Sequence, residues 1–469
     1  MNTKYRILLL SAPYIPEYMR NARCDFVSLS STQWYPILLG YCGSYLESLN
    51  HQVKIIDAPS SNLNHEQTKN IIFTFNPDLI VLYTGFMSEN NDIVFIDSII
   101  DELKCDAVIV GPYASINPDK TLSKTRLINK LVVGEFEHPV AEIIEGNNIN
   151  QIQNLVYKEN NLILKNPIRP YLTRNDLDKI PFVSMFFKKH LNLHQYKTPS
   201  EPFPYIDIMT GRGCKWGRCT YCLWVHTYIK GNVYNTRSIE NVIEEFNYIS
   251  ISIPEVKSVM IQDDTFTEDR IIEFCERKIK SNVPLKWSCY SRGNINYNVL
   301  KLMKKAGCLN LHVGYESADP EVLKKIRKGL TVDQMTEFSI NANKAKLRVH
   351  GDFAFGFPDE TPEKALKTIK WAKKIKPYTA QFQIMIPYPS TPYYEEMKNN
   401  GWLNKELKPD MPNFTNNQIR SMAKKAYRSF YFSLSHLIKC FCNPNVMIFS
   451  KLKTIYRAIP SVLWQKWKV

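Results

Sequence analysis

The sequence predicts an α/β protein: a doubly wound parallel-sheet domain, then a partial (β/α)6 barrel, then a basic helical C-terminal segment. Three observations predict it. Short apolar runs alternate with helical stretches from residue 6 to about 144, the pattern of strands covered on both faces. The alternation restarts at residue 205 and gives six units by residue 386, which suits an open barrel better than a closed eight-stranded one. From Arg420 to Val469 there are ten Lys or Arg and no Asp or Glu. The expected domains are 1–150, 201–400 and 401–469, with 151–200 as a linker broken by Asn160, Asn161, Asn166, Pro167, Pro170 and Pro181.

In the first domain the expected strands are 6–11, 52–57, 79–84, 107–111 and 131–134, separated by helices near 35–49, 65–75, 92–103 and 140–144. Sheets of this type bind ligands at the carboxyl ends of their strands. The glycine fingerprint of dinucleotide sites is absent. In the barrel the expected strands are 205–210, 256–262, 285–290, 309–314, 349–355 and 381–386, with helices at 239–249, 268–279, 297–306, 332–344 and 363–375. Chemistry is then expected on the loops that follow strand ends.

Composition narrows the class. With 469 residues, 44% hydrophobic and 22% charged, the chain can bury several cores and is not a disordered protein. No apolar run reaches the 18 residues of a spanning helix, and the N-terminal run is too short for a signal peptide. Eleven cysteines without a secretion signal argue against a disulfide framework, so the expected location is the cytoplasm. The net charge of +15 leaves nucleic acid, a membrane surface or an acidic substrate as partners.

The strongest chemical signal is the segment 211–222, with Cys214, Cys219 and Cys222 directly after the first barrel strand. Thiolates are soft ligands for zinc or iron–sulfur clusters. His226, four residues beyond Cys222, could complete a four-ligand zinc site. Three thiolates alone would instead leave one iron of a cubane open to a small molecule.

Asp263 and Asp264, in the run 261–267, end the second strand, where carboxylates can receive an ammonium group; Thr267 offers a helix N-cap in the same place. The third strand leads to Arg292, the fourth to Gly314-Tyr315-Glu316-Ser317, and the fifth to the run 349–361 with Gly351, Gly356 and a helix start at Thr361. The run 386–392 follows the sixth strand.

Together these motifs resemble the radical S-adenosylmethionine (SAM) superfamily, in which three cysteines hold a [4Fe–4S] cluster whose open iron is chelated by the amine and carboxylate of SAM. The usual spacing is x3 then x2, whereas here it is x4 then x2. The resemblance implies that Tyr221, Asp263, Asp264, Arg292, Glu316, Gly351 and Gly356 contact SAM. A doubly wound domain ahead of the barrel resembles the Rossmann-like cobalamin-binding class, and Val132-Val133-Gly134-Glu135 matches part of its signature, with Phe136 in place of a glycine. No Asp-x-His-x-x-Gly motif offers a lower cobalt ligand. Trp34-Tyr35-Pro36, 56–59, Cys222-Leu223-Trp224 and 234–238 are similar to the hopanoid-biosynthesis branch.

The resemblance implies an enzyme that cleaves SAM to a 5′-deoxyadenosyl radical and takes hydrogen from an unactivated C–H of a small-molecule, lipid or natural-product substrate. With cobalamin, C-methylation and radical rearrangement are both open. It also implies a reductase, flavodoxin or ferredoxin as electron donor. The alternative is a non-catalytic iron–sulfur or zinc module that binds nucleic acid through its charge. The C-terminal segment lacks the strand-and-turn pattern of an RNA-binding barrel, so nucleic acid is not expected. Phe449, Leu452, Ile455, Tyr456 and Ile459 recur at helical spacing with Lys451, Lys453 and Arg457 off that stripe, and Trp464 and Trp467 follow. That pattern suits either a peripheral membrane contact or a cap packed on the barrel.

Overall fold

A computed structural model describes residues 4–16, 18–20, 25–28 and 32–433. The basic stripe at 449–459, Trp464 and Trp467 lie outside the described residues.

The first sheet has seven strands. Five are parallel, in the spatial order Gln52–Asp57, Arg6–Ser11, Leu79–Tyr83, Asp106–Val110 and Lys130–Val132. Leu155–Glu159 and Leu162–Lys165 then add two antiparallel strands, inside the stretch read as a linker. Asn160 and Asn161 have φ of 50° and 63°. Two left-handed residues in a row make a tight hairpin turn, and asparagine tolerates that backbone. Two of the residues read as breakers, Asn160 and Asn161, are therefore the turn of an unforeseen hairpin.

Alternate residues of these strands enter different cores. Leu8, Leu10, Ile80, Leu82 and Ile109 form one core under the helices of the far face. Ile7, Leu9, Val81 and Val108 belong to a second core that continues into the barrel. The joint is the helix Ile37–Ser48, whose Gly40 and Gly43 admit the rings of Phe187 and Phe186. Beside it, Tyr35 stacks on Tyr196 at 4.1 Å and donates to the Tyr205 carbonyl at 2.8 Å. Tyr41 and Met209 also exchange hydrogen bonds. The first barrel strand is thereby tied to the N-terminal domain.

The second sheet is six-stranded and wholly parallel, in simple chain order: Tyr205–Ile208, Ser258–Ile261, Lys286–Ser291, Cys308–Glu316, Arg348–Phe355 and Thr379–Ile384. Helices Ile239–Ser252, Glu268–Ser281, Tyr297–Lys305, Val332–Lys344 and Pro362–Ile375 lie between strands. A last helix, Asn416–Tyr431, packs Phe430 and Tyr427 on Phe382 of the sixth strand. Among the described residues no helix is long and apolar enough to cross a membrane.

Thr361 caps the helix after the fifth strand through the Lys364 amide, as the motif suggests. Thr267 stands at the start of the helix Glu268–Ser281, but its hydroxyl engages the Asp269 carboxylate and makes no cap to the backbone.

Glu201 enters the barrel from below its strands. It is buried, and one carboxyl oxygen accepts from the Ser258 and Ser288 hydroxyls at 3.1 and 3.0 Å. Burial pushes its pKa up to about 8 from an ordinary 4.5. A raised folded-state pKa means that this group's stabilisation is complete below about 4.5 and is lost as pH rises to about 8. The loss runs at up to about 1.4 kcal/mol per pH unit. We predict that Glu201→Gln loses less stability between pH 5 and 8.5 than the unaltered protein, the remainder coming from groups such as Glu360, which burial also raises to about 8. Equal pH dependence of the two in urea titrations contradicts this.

Candidate functional site

The three cysteines sit on the loop after a short ribbon, Gly211–Gly213, which pairs antiparallel with Tyr234–Thr236. Two neighbouring carboxylates hold this ribbon, with different duties. Asp263 is fully buried, and its oxygens accept from the Thr210 amide and hydroxyl, both at 2.6 Å, and from the Tyr234 hydroxyl at 2.8 Å. It therefore pins the end of the first strand. Asp264 is less buried and accepts from the Gly213 amide at 3.0 Å, one residue before Cys214.

The far side of the loop rests on residues 326–329. Thr220 donates its amide to the Ile326 carbonyl at 3.1 Å, and the Trp216 indole donates to the Arg327 carbonyl at 2.9 Å. Trp216 fills the space above Gly329, where an added Cβ would stand 2.0 Å from the ring. Arg292 lies over the Trp216 ring at 4.8 Å and donates to the Lys328 carbonyl at 2.6 Å. The extra residue between the first two cysteines accompanies a built seat, with tryptophan as its packing element.

Cys214 lies 3.4 Å from the Thr265 hydroxyl, and the Cys219 carbonyl accepts from the Cys222 amide at 3.2 Å. Burial pushes the Cys219 and Cys222 thiols up, Cys222 to about 12, while Lys328 and Arg292 partly offset the effect at Cys219. Thiols so placed need a cationic centre to become thiolates. His226 contacts the Cys219 carbonyl through its Nε2 at 3.0 Å, so that nitrogen is engaged with backbone. Among the described residues no group of three His, Cys, Asp or Glu is placed to hold a single metal ion.

Glu316 ends the fourth strand at a register shift and has φ of 63°, a left-handed backbone that a glutamate adopts only when its surroundings impose it. Its carboxylate accepts from Lys328 at 3.0 Å and from the Tyr221 phenol. Tyr221 in turn meets Phe357 edge-on at 5.3 Å. Tyr221, Arg292, Glu316 and the cysteine loop are thus brought together, with Lys328 among them. Sequence reading missed Lys328, because nothing in its spacing separates it from the surface lysines around it.

The two glycines of the fifth strand behave differently from one another. A Cβ on Gly351 would meet the Tyr315 ring at 3.0 Å, so here the small residue admits helix-side packing. Gly356 has φ of 99° and gives its amide to Glu360 at 2.6 Å, while its carbonyl accepts from Tyr393 at 2.7 Å. It forms the turn that closes the strand's carboxyl end.

Inside the barrel, strand alternation settles which residues face the lumen. Phe353 and Phe355 stack on Phe382, which lies against Tyr427 and Phe430 on the helix side. His350, Asp352, Gln381 and Gln383 therefore face inward, and the exposure of Gln383 shows that the lumen is open. Trp34, Tyr290, His312 and His350 form a row across it, with successive ring centroids 6.1, 5.0 and 4.9 Å apart. His350 Nε2 lies 3.3 Å from Asp352, and Nδ1 lies 2.7 Å from the Thr379 hydroxyl. A carboxylate only accepts, so Nε2 carries the proton and the threonine hydroxyl donates to Nδ1.

At the carboxyl edge of the first sheet, Arg20 and Asp92 form a buried ion pair that also engages Ser11, Ala12 and Ser88. Further along, Phe86 and Tyr113 meet Tyr388 from the run 386–392, in an apolar cluster with Leu223 beside Cys222. This edge and the barrel mouth face each other over the cysteine loop.

The family model described as the radical SAM superfamily matches residues 208–372. An uncharacterized methyltransferase of Pyrococcus horikoshii is 33% identical over 422 residues, covering 86% of this chain and 89% of that one. A bacteriochlorophyllide d C-12(1)-methyltransferase of Chlorobaculum tepidum is 29% identical over 41% of this chain and 43% of its own. Among solved structures, the cobalamin-dependent SAM radical enzyme OxsB has a TM-score of 0.70 at 15% identity, over 97% of this chain and 71% of that one. The radical SAM methyltransferase TsrM of Kitasatospora setae, with cobalamin and [4Fe–4S] cluster bound, has 0.65 at 17%, over 85% and 75%. These two show the likeness of the fold.

Gly329→Ala drives a methyl into Trp216, at a backbone of φ 68° that disfavours alanine. We predict a clear drop in iron and sulfide retained after anaerobic reconstitution, with the thermal melt of the barrel lowered by only a few degrees. Full iron content in the variant contradicts this account of the loop's seat.

Proposed function

The chain belongs to the radical SAM superfamily of enzymes, and we propose that it installs a methyl group on an unactivated carbon of a small-molecule or lipid-linked substrate, with cobalamin as methyl carrier. The observation that carries the reading is the loop of Cys214, Cys219 and Cys222, seated at the carboxyl end of the first barrel strand with Lys328 and Arg292 beside it. When bound there, a [4Fe–4S] cluster supplies the electron that splits the sulfonium bond of SAM, giving methionine and a 5′-deoxyadenosyl radical that takes hydrogen from the substrate.

The residues divide the remaining work. Asp264 receives the methionyl ammonium, and Arg292 with Lys328 faces the methionyl carboxylate. Glu316 is held by Lys328 and Tyr221 at the height of the ribose hydroxyls. Gly356 forms the turn at the fifth barrel strand's carboxyl end beside which the adenosine would lie, while Asp263 fixes the strand end from which the loop departs. Tyr388, Phe86 and Tyr113 keep water from the mouth. The lumen row receives the substrate, with Asp352 and the two glutamines accepting from its hydroxyl or amine groups.

The residues of the sheet edge fit cobalamin. Glu137 Oε2, the Tyr228 hydroxyl and the Trp224 indole nitrogen are buried without a partner between edge and barrel, where an amide-rimmed macrocycle would satisfy them. The apolar cluster of Phe86, Tyr113 and Tyr388 would help to hold it. The methyltransferase relatives favour methylation over the rearrangement that the sequence left open, and they displace the reading as a non-catalytic nucleic-acid module. A reductase, flavodoxin or ferredoxin is the expected electron source. Lys424, Lys425 and Arg428 line a shallow hollow of about 450 Å³ on the last described helix, which supports peripheral contact with an anionic membrane surface.

Reconstituted protein, given SAM and a strong reductant, should release 5′-deoxyadenosine, and Cys219→Ala should release none. Asp352→Asn should keep SAM cleavage within about threefold while lowering turnover of the true substrate by at least about tenfold, since its contacts are with His350 and the proposed substrate and not with the SAM side of the site. A cluster-loaded protein that yields no deoxyadenosine contradicts the proposal.

A further inference from the structure

Arg212 lies two residues before Cys214, and its side chain points away from the cluster loop into the N-terminal domain. Nη1 donates to Glu135 at 2.8 Å and Nη2 to Glu137 at 2.6 Å, and all three side chains are buried. The guanidinium also lies 5.5 Å from the centre of the Tyr41 ring. Glu135 and Glu137 belong to the segment that leaves the carboxyl end of the strand Lys130–Val132, the ligand edge of a doubly wound sheet. Glu135 is further fixed by the Leu172 amide at 2.8 Å.

Two features make this more than a structural ion pair. One guanidinium faces two buried carboxylates, and the second oxygen of Glu137 has no hydrogen-bond partner. Nearby, the Tyr228 hydroxyl and the Trp224 indole nitrogen also lack partners, and these two rings meet edge-on at 4.9 Å. Trp224 and Tyr228 frame the short helix that follows Cys222. Buried polar atoms without partners are costly. A ligand that supplies amide donors and acceptors at this edge therefore gains contacts on both sides of the cysteines: through Glu137 and Arg212 before them, and through Trp224 and Tyr228 after them.

We propose that Arg212 is a positioning residue that couples occupancy of the N-terminal domain to the cluster loop, so that binding of an amide-rimmed macrocycle and binding of SAM reinforce each other. The proposal rests on the function given above and adds a dependence which that function does not require: the two cofactors could occupy adjacent sites independently. Reciprocity is required, since a coupling free energy acts equally on both ligands. Arg212 serves because its planar fork gives each carboxylate its own terminal nitrogen in a fixed direction. Its backbone lies in the ribbon whose next amide, that of Gly213, is held by Asp264.

The test uses the full chain, reconstituted with iron and sulfide. SAM affinity is read from the change SAM causes in the electron paramagnetic resonance of the reduced cluster, with and without hydroxocobalamin. In the unaltered protein, hydroxocobalamin should tighten SAM binding at least about fivefold. In Arg212→Gln the effect should fall below about twofold, with iron content near that of the unaltered protein. Glu137→Gln keeps the side chain's shape and should lose most of the effect as well, which covers a failure of the arginine variant to fold. Unaltered protein that loads iron and binds SAM, yet does so equally with and without hydroxocobalamin, overturns the coupling and leaves the proposed reaction intact. A coupling that survives in both variants overturns the role of Arg212. Protein that retains no cluster sinks the proposed function, and this inference with it.

Discussion

The buried fork of Arg212 between Glu135 and Glu137 is the constraint on which the arrangement of the molecule depends. A charge taken out of water is tolerated only when well paired, and removing one partner of such a group costs about 3–5 kcal/mol. The two domains are thus held in one relative placement at the point where the cysteine loop begins. Tyr35 and Tyr41 fix the first barrel strand by hydrogen bonds at one point of the joint, and the ion pair fixes a second point next to the cysteine loop. It sets the carboxyl edge of the first sheet opposite the carboxyl ends of the barrel strands, with the cysteines between.

From that placement the rest of the site follows by short steps. Asp263 and Asp264 hold the strand end and the ribbon, Trp216 seats the loop on Gly329, and Lys328 joins that seat to Glu316. Lys328 and Arg292 lie near Cys219, and the carboxylate of Asp264 lies at the ribbon. Below, the lumen holds hydrogen-bonding side chains and two tethered histidine rings instead of a dense aliphatic core. A barrel that keeps Asp352 and Gln383 open toward its axis is built around a guest.

Much of this was legible in the sequence, for identifiable reasons. The strand Arg6–Ser11 is buried from Ile7 onward with no polar alternation to blur it, so its ends fall where the apolar run ends. Motif residues at strand ends, such as Glu316 and Arg292, come together because a parallel barrel places all its carboxyl ends on one rim. What could not be read depends on partners distant in the chain. The paired asparagines at 160 and 161 signal a turn, but only the pairing of Leu155–Glu159 with the fifth strand shows that it belongs to the sheet. Arg212 lies in the cysteine segment 211–222 and Glu135 in the Val132-Val133-Gly134-Glu135 motif, 77 positions apart, and no local pattern links them. Asp263 and Asp264 are adjacent and alike, and only their hydrogen bonds, of Asp263 to Thr210 and Tyr234 and of Asp264 to the Gly213 amide, tell them apart.

The central claim is that three thiolates hold a cubane and leave its fourth iron to SAM. Electron–nuclear double resonance of the reduced cluster, with SAM labelled by nitrogen-15 at the methionyl amine and by oxygen-17 at the carboxylate, tests it most directly. The account predicts couplings from both labels, of the size expected for atoms bound to iron. A reduced four-iron cluster that binds SAM but shows neither coupling contradicts it.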